Sequence, residues 1–326
     1  MCEVITYKKP RRISAYQRQQ RYDPTRTLTI RDRFAREMRV RSRALVSVIM
    51  ESIDDNDCFG LKPETYTRPQ TNMAAASRRQ FDFPTTQGKV EAFMTWLRTQ
   101  QEEGILTTTR IMQQGQAIDA AWTNMYVQDT YERGVLRARA ELVRGGFNVP
   151  SIEQTGGIQA SMSTPFHMDR LGVLYTRTFN ELKGVSEAMD QQISRVLTEG
   201  MMEGNNPRVL AKKMNKVITG RGEMLGIQDS LGRWIPASRR AEMIARTETI
   251  RAHHRAMIQE YRNWEVHKVY VKAEWKTAGD ERMCGDCAGL HNERFTLDVI
   301  EGMIPYHPNC RCIAIPVRRD QNQRGR

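Results

Sequence analysis

The chain has 326 residues, of which 39% are hydrophobic and 27% charged. It is long enough for two or three modest domains with a sizeable core, and the balance suits a largely helical protein with wide solvated faces rather than one compact enzyme core. No run approaches the roughly 18 apolar residues of a membrane span and no signal-peptide core is present, so the protein is expected to stay in the cytoplasm until it joins an assembly.

The net charge of +12 is uneven. Residues 1–45 hold thirteen Lys/Arg against four acids, a surplus of 9, and residues 317–326 hold four arginines against one acid, a surplus of 3. The residues between are balanced. Basic ends of this kind meet a polyanion such as DNA or dock on an acidic protein surface; a solvated tail that aids solubility is the plainer alternative.

Residues 1–27 are polar, basic and rich in Gln, Tyr and Pro, which predicts an extended basic arm. From about Thr29 a helical period appears (Phe34, Met38, Leu45, Val48, Ile49), with arginines on the other face and an end near Asp54–Asn56. Asp54-Asp55-Asn56-Asp57 lacks the Gly and distal Glu of a calcium loop and reads as a helix terminus. Residues 61–84 look like a linker. Val90, Phe93, Met94, Trp96 and Leu97 mark a short helix, and Trp122, Tyr126, Tyr131, Val135 and Leu142 a longer one from about Ala117 to Gly145.

Residues 146–165 are turn-rich and expected to be irregular. The longest helical stretch runs from His167 to about Glu199. Asn206-Pro207 then supplies a cap and a first-turn proline for a short helix ending near Gly220. A glycine-rich loop covers 220–236, and Ser238 is placed to cap a helix from about Arg239 to Trp264. Beyond it the helical period fades. Val266, Val269, Tyr270 and Val271 read as one strand and 311–317 as another, together a small antiparallel sheet. The predicted organisation is an arm (1–27), a helical domain (28–150), a central helical part (151–265), a small sheet with a Cys/His site (266–317) and a basic tail (318–326). The fold class is mainly α with a small C-terminal α+β zinc-binding module.

Four of the six cysteines, Cys284, Cys287, Cys310 and Cys312, fall within 29 residues, with His307 just ahead of the last pair. Met283-Cys284-Gly285-Asp286-Cys287-Ala288-Gly289 has the spacing of a zinc knuckle, in which a tight turn aims two thiolates at one ion and Gly relieves Cβ crowding. His307, Cys310 and Cys312 offer three donors for the two remaining tetrahedral positions. Spacing does not choose among them, so all five are candidate ligands. A disulfide is disfavoured by synthesis in a reducing cytoplasm, and a redox CxxC needs no downstream CxC. A catalytic zinc would keep an open position and a general base, for which His291 and Glu293 are near in sequence. Five soft donors fit a closed, structural zinc site better.

Ala245-Arg246-Thr247-Glu248 admits a catalytic reading, as in ADP-ribosyl transfer, but no nucleotide-binding loop accompanies it; helix residues pairing with the zinc module are the simpler account. His253-His254 has no HExxH register and reads as surface, Cys2 and Cys58 as incidental. Walker, Rossmann and GxSxG patterns are absent from the sequence.

Taken in order, Ala245-Arg246-Thr247-Glu248, Tyr261, Trp275, Asp280-Glu281-Arg282, Cys284-Gly285-Asp286-Cys287 and His307-Pro308-Asn309-Cys310-Arg311-Cys312 resemble the head-morphogenesis domain of phage Mu F-like minor head proteins. The resemblance spans about residues 167–317, including 197–214, and extends more loosely to Phe81-Asp82-Phe83, Phe93-Met94-Trp96-Leu97 and Trp122-Asn124-Tyr126. Tyr306 departs from the Pro or Leu usual before the histidine. The resemblance implies a non-enzymatic virion protein, present in several copies at the portal vertex. Its partners would be portal or major capsid protein, and packaged DNA through the basic termini. It would act in head assembly or DNA delivery. The rival readings are a zinc-dependent nucleic-acid-binding protein and an ADP-ribosyltransferase-like one. Against the first, residues 273–312 carry seven acids and four bases, a net −3, where a DNA-gripping module should be basic.

Overall fold

The computed structural model describes residues 23–62, 80–113, 116–219 and 240–318, except 82, 266, 268, 270, 281 and 282, together with 226–228 and 234–236. Most of the predicted basic arm, the linker over 63–79, the Ser238 cap, Tyr270 and the tail from 319 lie outside the described residues. Where the arm meets the fold, the structure corrects the sequence reading. Residues 23–27 are a turn, not extended chain: Asp23 accepts from the Thr25 hydroxyl and the Thr27 amide, and both threonines are buried.

The first helix, α1 (Leu28–Met50), runs into a π turn at Glu51–Asp55, close to the predicted end. Its arginine face has one exception, since Arg31 is buried against Asp23 at 2.6 Å. Asp57 closes the turn in the left-handed region (φ 46°) and accepts from the Leu61 and Lys62 amides, which gives the acidic run a turn-forming role. Helix α2 (Thr86–Gly104) starts where Thr85 accepts from Gly88 N–H, satisfying a first-turn donor. A hairpin follows, β1 (Thr108–Gln113) with β2 (Gln116–Ala121), so helix α3 (Asn124–Arg144) begins later than the apolar period suggested. Residues 146–165, expected to be irregular, include a 3-10 turn (Glu153–Thr155) and a short helix α4 (Gly157–Met162).

Helix α5 (Pro165–Met202) is the longest, with Pro165 in its first turn. Asn206 then caps α6 (Pro207–Thr219) by accepting from Val209 N–H, as its sequence required. Short strands β3 (Gly226–Gln228) and β4 (Trp234–Pro236) pair within the predicted loop. Helix α7 (Arg240–Glu265) crosses α3 at Gly134, where a Cβ would come within 2.5 Å of the His253 carbonyl oxygen. This crossing needs a residue without a side chain.

The C-terminal sheet has the order β6-β5-β7, all antiparallel, from β5 (Val271–Lys276), β6 (Arg294–Phe295) and β7 (Ile313–Arg318). The first of these strands lies five residues beyond the predicted start at Val266, and its burial alternates strictly: Val271, Ala273 and Trp275 point inward. Two short helices, α8 (Gly285–Gly289) and α9 (Leu297–Met303), complete the module. Arg318 belongs to β7 rather than the tail, and donates to the Gly146 carbonyl.

Two larger cores organise the molecule. One joins the end of α1, Phe59, Phe81, α2, the second half of α5 and α6; Cys58 is part of it. The other joins α3, α7 and the sheet around Trp275 and Tyr261. No helix among the described residues is long and apolar enough to cross a membrane.

Candidate metal centre

The site is built on one edge of the second core. Cys284 sits just before α8 with extended backbone, and its Sγ accepts from the Cys287 amide at 3.4 Å. One helical turn therefore brings both sulfurs to the same side. The glycine between them is not needed for clearance: a Cβ at Gly285 would meet nothing within 4 Å. This corrects the steric role expected for it.

His307 arrives from the opposite segment. Its Nδ1 hydrogen-bonds the Pro308 carbonyl at 2.8 Å, which requires N–H at Nδ1 and frees the Nε2 lone pair. That Nε2 lies 3.2 Å from Cys284 Sγ and 3.3 Å from Cys287 Sγ. Asn309, in the left-handed region (φ 60°), turns the chain so that Cys310 and Cys312 return toward Cys287. Two donor triads result, Cys284–Cys287–His307 and Cys287–Cys310–Cys312, each with ligand atoms within 4.8 Å of one another. They share Cys287, so the five residues singled out in the sequence form one cluster. Ordinary zinc bond lengths in a tetrahedron separate nitrogen and sulfur by about 3.6 Å and two sulfurs by about 3.8 Å. The two nitrogen–sulfur distances, 3.2 and 3.3 Å, fall a few tenths of an ångström short of this, and the sulfurs within each triad lie within 4.8 Å of one another.

The electrostatics match a cation site. Three thiols in contact cannot all ionise unaided. Cys310, accepting from Cys287 and Cys312, is held far below the ordinary thiol range, while Cys287 is pushed well above it by the same contacts and by burial. A positive ion removes that conflict by favouring every thiolate at once. Trp275 supplies a second sign. Its indole N–H is fully buried without a hydrogen-bond partner, and although contact with Cys287 lowers the Cys312 thiol, contact with Cys310 and burial hold it above the ordinary thiol range. Cys287, Cys310 and Cys312 are buried and Cys284 is half-buried.

Several contacts hold the cluster in place. Arg311 forms a two-pronged pair with Asp280, at 2.5 Å on each prong. Buried His254 donates from Nε2 to the Ile300 carbonyl at 2.9 Å, and the Tyr261 hydroxyl donates to the Ala314 carbonyl at 3.1 Å. Both tie α7 to the module. Glu301 on α9 pairs with Arg170, Arg255 and Arg262. The expectation that His253-His254 is surface is therefore wrong: both rings are buried, and burial lowers their pKa to about 3 and about 4.

The other candidates go elsewhere. His291 Nδ1 accepts from Thr277 N–H and bonds the Thr277 hydroxyl, and neither it nor Glu293 joins the cluster. In the run 245–248, Thr247 touches the module through Asn309 N–H, whereas Glu248 is buried against Arg177 and Arg251, and burial raises its pKa. Sequence reading missed a buried network centred on Glu260, which takes Arg139 at 2.6 Å, His167 at 3.2 Å and the Trp264 N–H at 2.8 Å; Tyr131 bonds His167 in turn. Its members run from Tyr131 to Trp264, 133 residues apart, and their sequence carries no pattern that joins them.

Residues 191–315 match the family model described as phage Mu protein F like protein. No curated protein and no solved structure matches the chain. The matched stretch begins inside α5 and ends inside β7, so it contains α7 and all five donors. The match supports a phage head-morphogenesis-type domain there.

Proposed function

With residues 191–315 matching a family of head-related phage proteins, we propose that this protein is a minor head component of a tailed phage, placed at the portal vertex. It acts there in head assembly, and in packaging or delivery of DNA. The observation that carries this reading is that the family match takes in the whole Cys/His cluster and the helix α7 that packs against its module. Its partners are portal or major capsid protein, in several copies around the vertex, and the role is structural rather than enzymatic.

Within it, residues 28–150 and 151–265 form the helical framework and 266–317 the metal-bearing module. Zinc is the ion the donor set favours, since thiolates and imidazole in a compact closed shell suit it. Four of Cys284, Cys287, His307, Cys310 and Cys312 would hold it. In so small a sheet the ion would supply much of the folding free energy, making the module a rigid knob against α7.

Mass spectrometry of purified particles, before and after triggered DNA release, tests the role. The expected result is this chain at a few to about a dozen copies in intact particles. Absence from particles overturns the head assignment.

A further inference from the structure

A cleft of about 320 Å³ opens between the Asp23–Thr27 turn and one face of α3, formed by residues outside the cysteine module. Arg26, Arg133, Arg137 and Arg144 line it around Leu136 and Ala140. Three of these arginines sit on α3 at positions i, i+4 and i+11, so an ideal helix puts them within about 40° of one another along roughly 16 Å. One carboxylate serves them: Glu141 takes Arg137 at 2.6 Å and Arg144 at 2.5 Å. Arg133 donates to the Arg26 carbonyl, and neither Arg26 nor Arg133 has a carboxylate partner among the described residues. Arg137 is the most enclosed, and its Nε and one terminal nitrogen are shielded from water without an acceptor. Four guanidinium groups with one acid leave a surplus of positive charge on the cleft floor and rim.

We propose that this cleft binds the phosphates of a nucleic-acid backbone. Guanidinium groups suit phosphate oxygens because their donors are planar and paired. The row length favours a polymer over a single small anion, because a duplex strand running along α3 would present more than one phosphate to it. No amide or unpaired acid lines the cleft to read base edges, so binding is independent of sequence. The site belongs to the folded body and is separate from the basic termini. It goes beyond the head assignment and stands whether or not that assignment holds.

The test is fluorescence anisotropy of the full chain with labelled duplexes of two unrelated sequences, titrated at several salt concentrations. The variants are Arg133→Ala/Arg144→Ala, both exposed positions, and a control of equal charge loss, Arg98→Ala/Arg195→Ala, outside the cleft. The expected result is at least about tenfold weaker binding for the cleft variant, and a log–log salt slope shallower by about 2, equally for both sequences. The control should match wild type, and circular dichroism should confirm that both variants fold. Equal losses in the two variants would mean general charge attraction and overturn the proposal. So would tight binding of inorganic phosphate alone at the cleft with an unchanged DNA slope. A cleft variant that loses binding to polyglutamate but keeps DNA would reassign the cleft to acidic protein, again overturning it.

Discussion

Gly134 on α3 and His253 on α7 meet backbone to backbone: a Cβ on the glycine would come within 2.5 Å of the histidine carbonyl oxygen and 2.6 Å of Ala256 Cβ. No flexible side-chain end is available to yield, so the helices would have to separate. Gly134→Ala is expected to destabilise the protein by about 2 kcal/mol or more despite alanine's better helix propensity. Gly172→Ala is the contrast, because a Cβ there meets nothing within 4 Å; it should be neutral or stabilise by up to about 1 kcal/mol. Denaturant midpoints for the pair check this, and equal shifts would show that the crossing tolerates a side chain.

The Tyr261 hydroxyl reaches from α7 to the Ala314 carbonyl in β7, and the tyrosine is fully buried. Tyr261→Phe keeps the ring and removes the donor. The expected loss is about 1–2 kcal/mol, from the net hydrogen bond and a partly unsatisfied acceptor. Amide hydrogen exchange should place the weakening in β7 and its partner β5, leaving the α2–α6 core unaffected.

The buried histidine pair sets a pH dependence. Burial lowers the pKa of His253 to about 3 and of His254 to about 4, against an ordinary value near 6.5. Between about pH 4 and 6.5 the unfolded chain therefore binds more protons than the folded one, so stability rises with pH through that window and levels off above it. The expected loss from pH 7 to pH 5 is about 1–2 kcal/mol per histidine. His254→Gln keeps an N–H for the Ile300 carbonyl and cannot titrate there. Its denaturant midpoint should fall less steeply with acid than wild type. Because ion loss acts on both proteins alike, parallel acid curves would rule out the histidine contribution.

What the sequence disclosed follows from the range of the physics involved. The Asn206-Pro207 start of α6 and the convergence of Cys284 with Cys287 are set within a few residues, and local chemistry makes them readable. Val266–Val271 is richer in β-branched residues than Val271–Lys276, so residue preference alone starts the strand too early. Pairing with β7, which puts Trp275 opposite Ala314, decides the matter instead. His253 and His254 looked like solvent-facing residues because their burial comes from α3 on one side and α9 on the other. Arg133, Arg137 and Arg144 read in the sequence only as scattered charged helix positions. Their use as a cleft wall needs the Asp23–Thr27 turn on the other side, which is over 100 residues away in the chain.

The shared position of Cys287 yields the sharpest expectation for the metal. It belongs to both donor triads, so any tetrahedral arrangement drawn from the five residues depends on it most. Cys287→Ser should abolish stoichiometric zinc binding, measured by elemental analysis of the purified protein, and make the C-terminal module protease-sensitive. Because five donors compete for about four places, one substitution among His307→Ala, Cys310→Ser and Cys312→Ser should keep one equivalent of zinc while the other two lose it. Chelation of the wild type should unfold the module in parallel with ion release. Cys287→Ser protein that stays protease-resistant and retains one zinc would overturn the single-site reading. Loss of zinc in all three downstream variants would mean that all five groups act together.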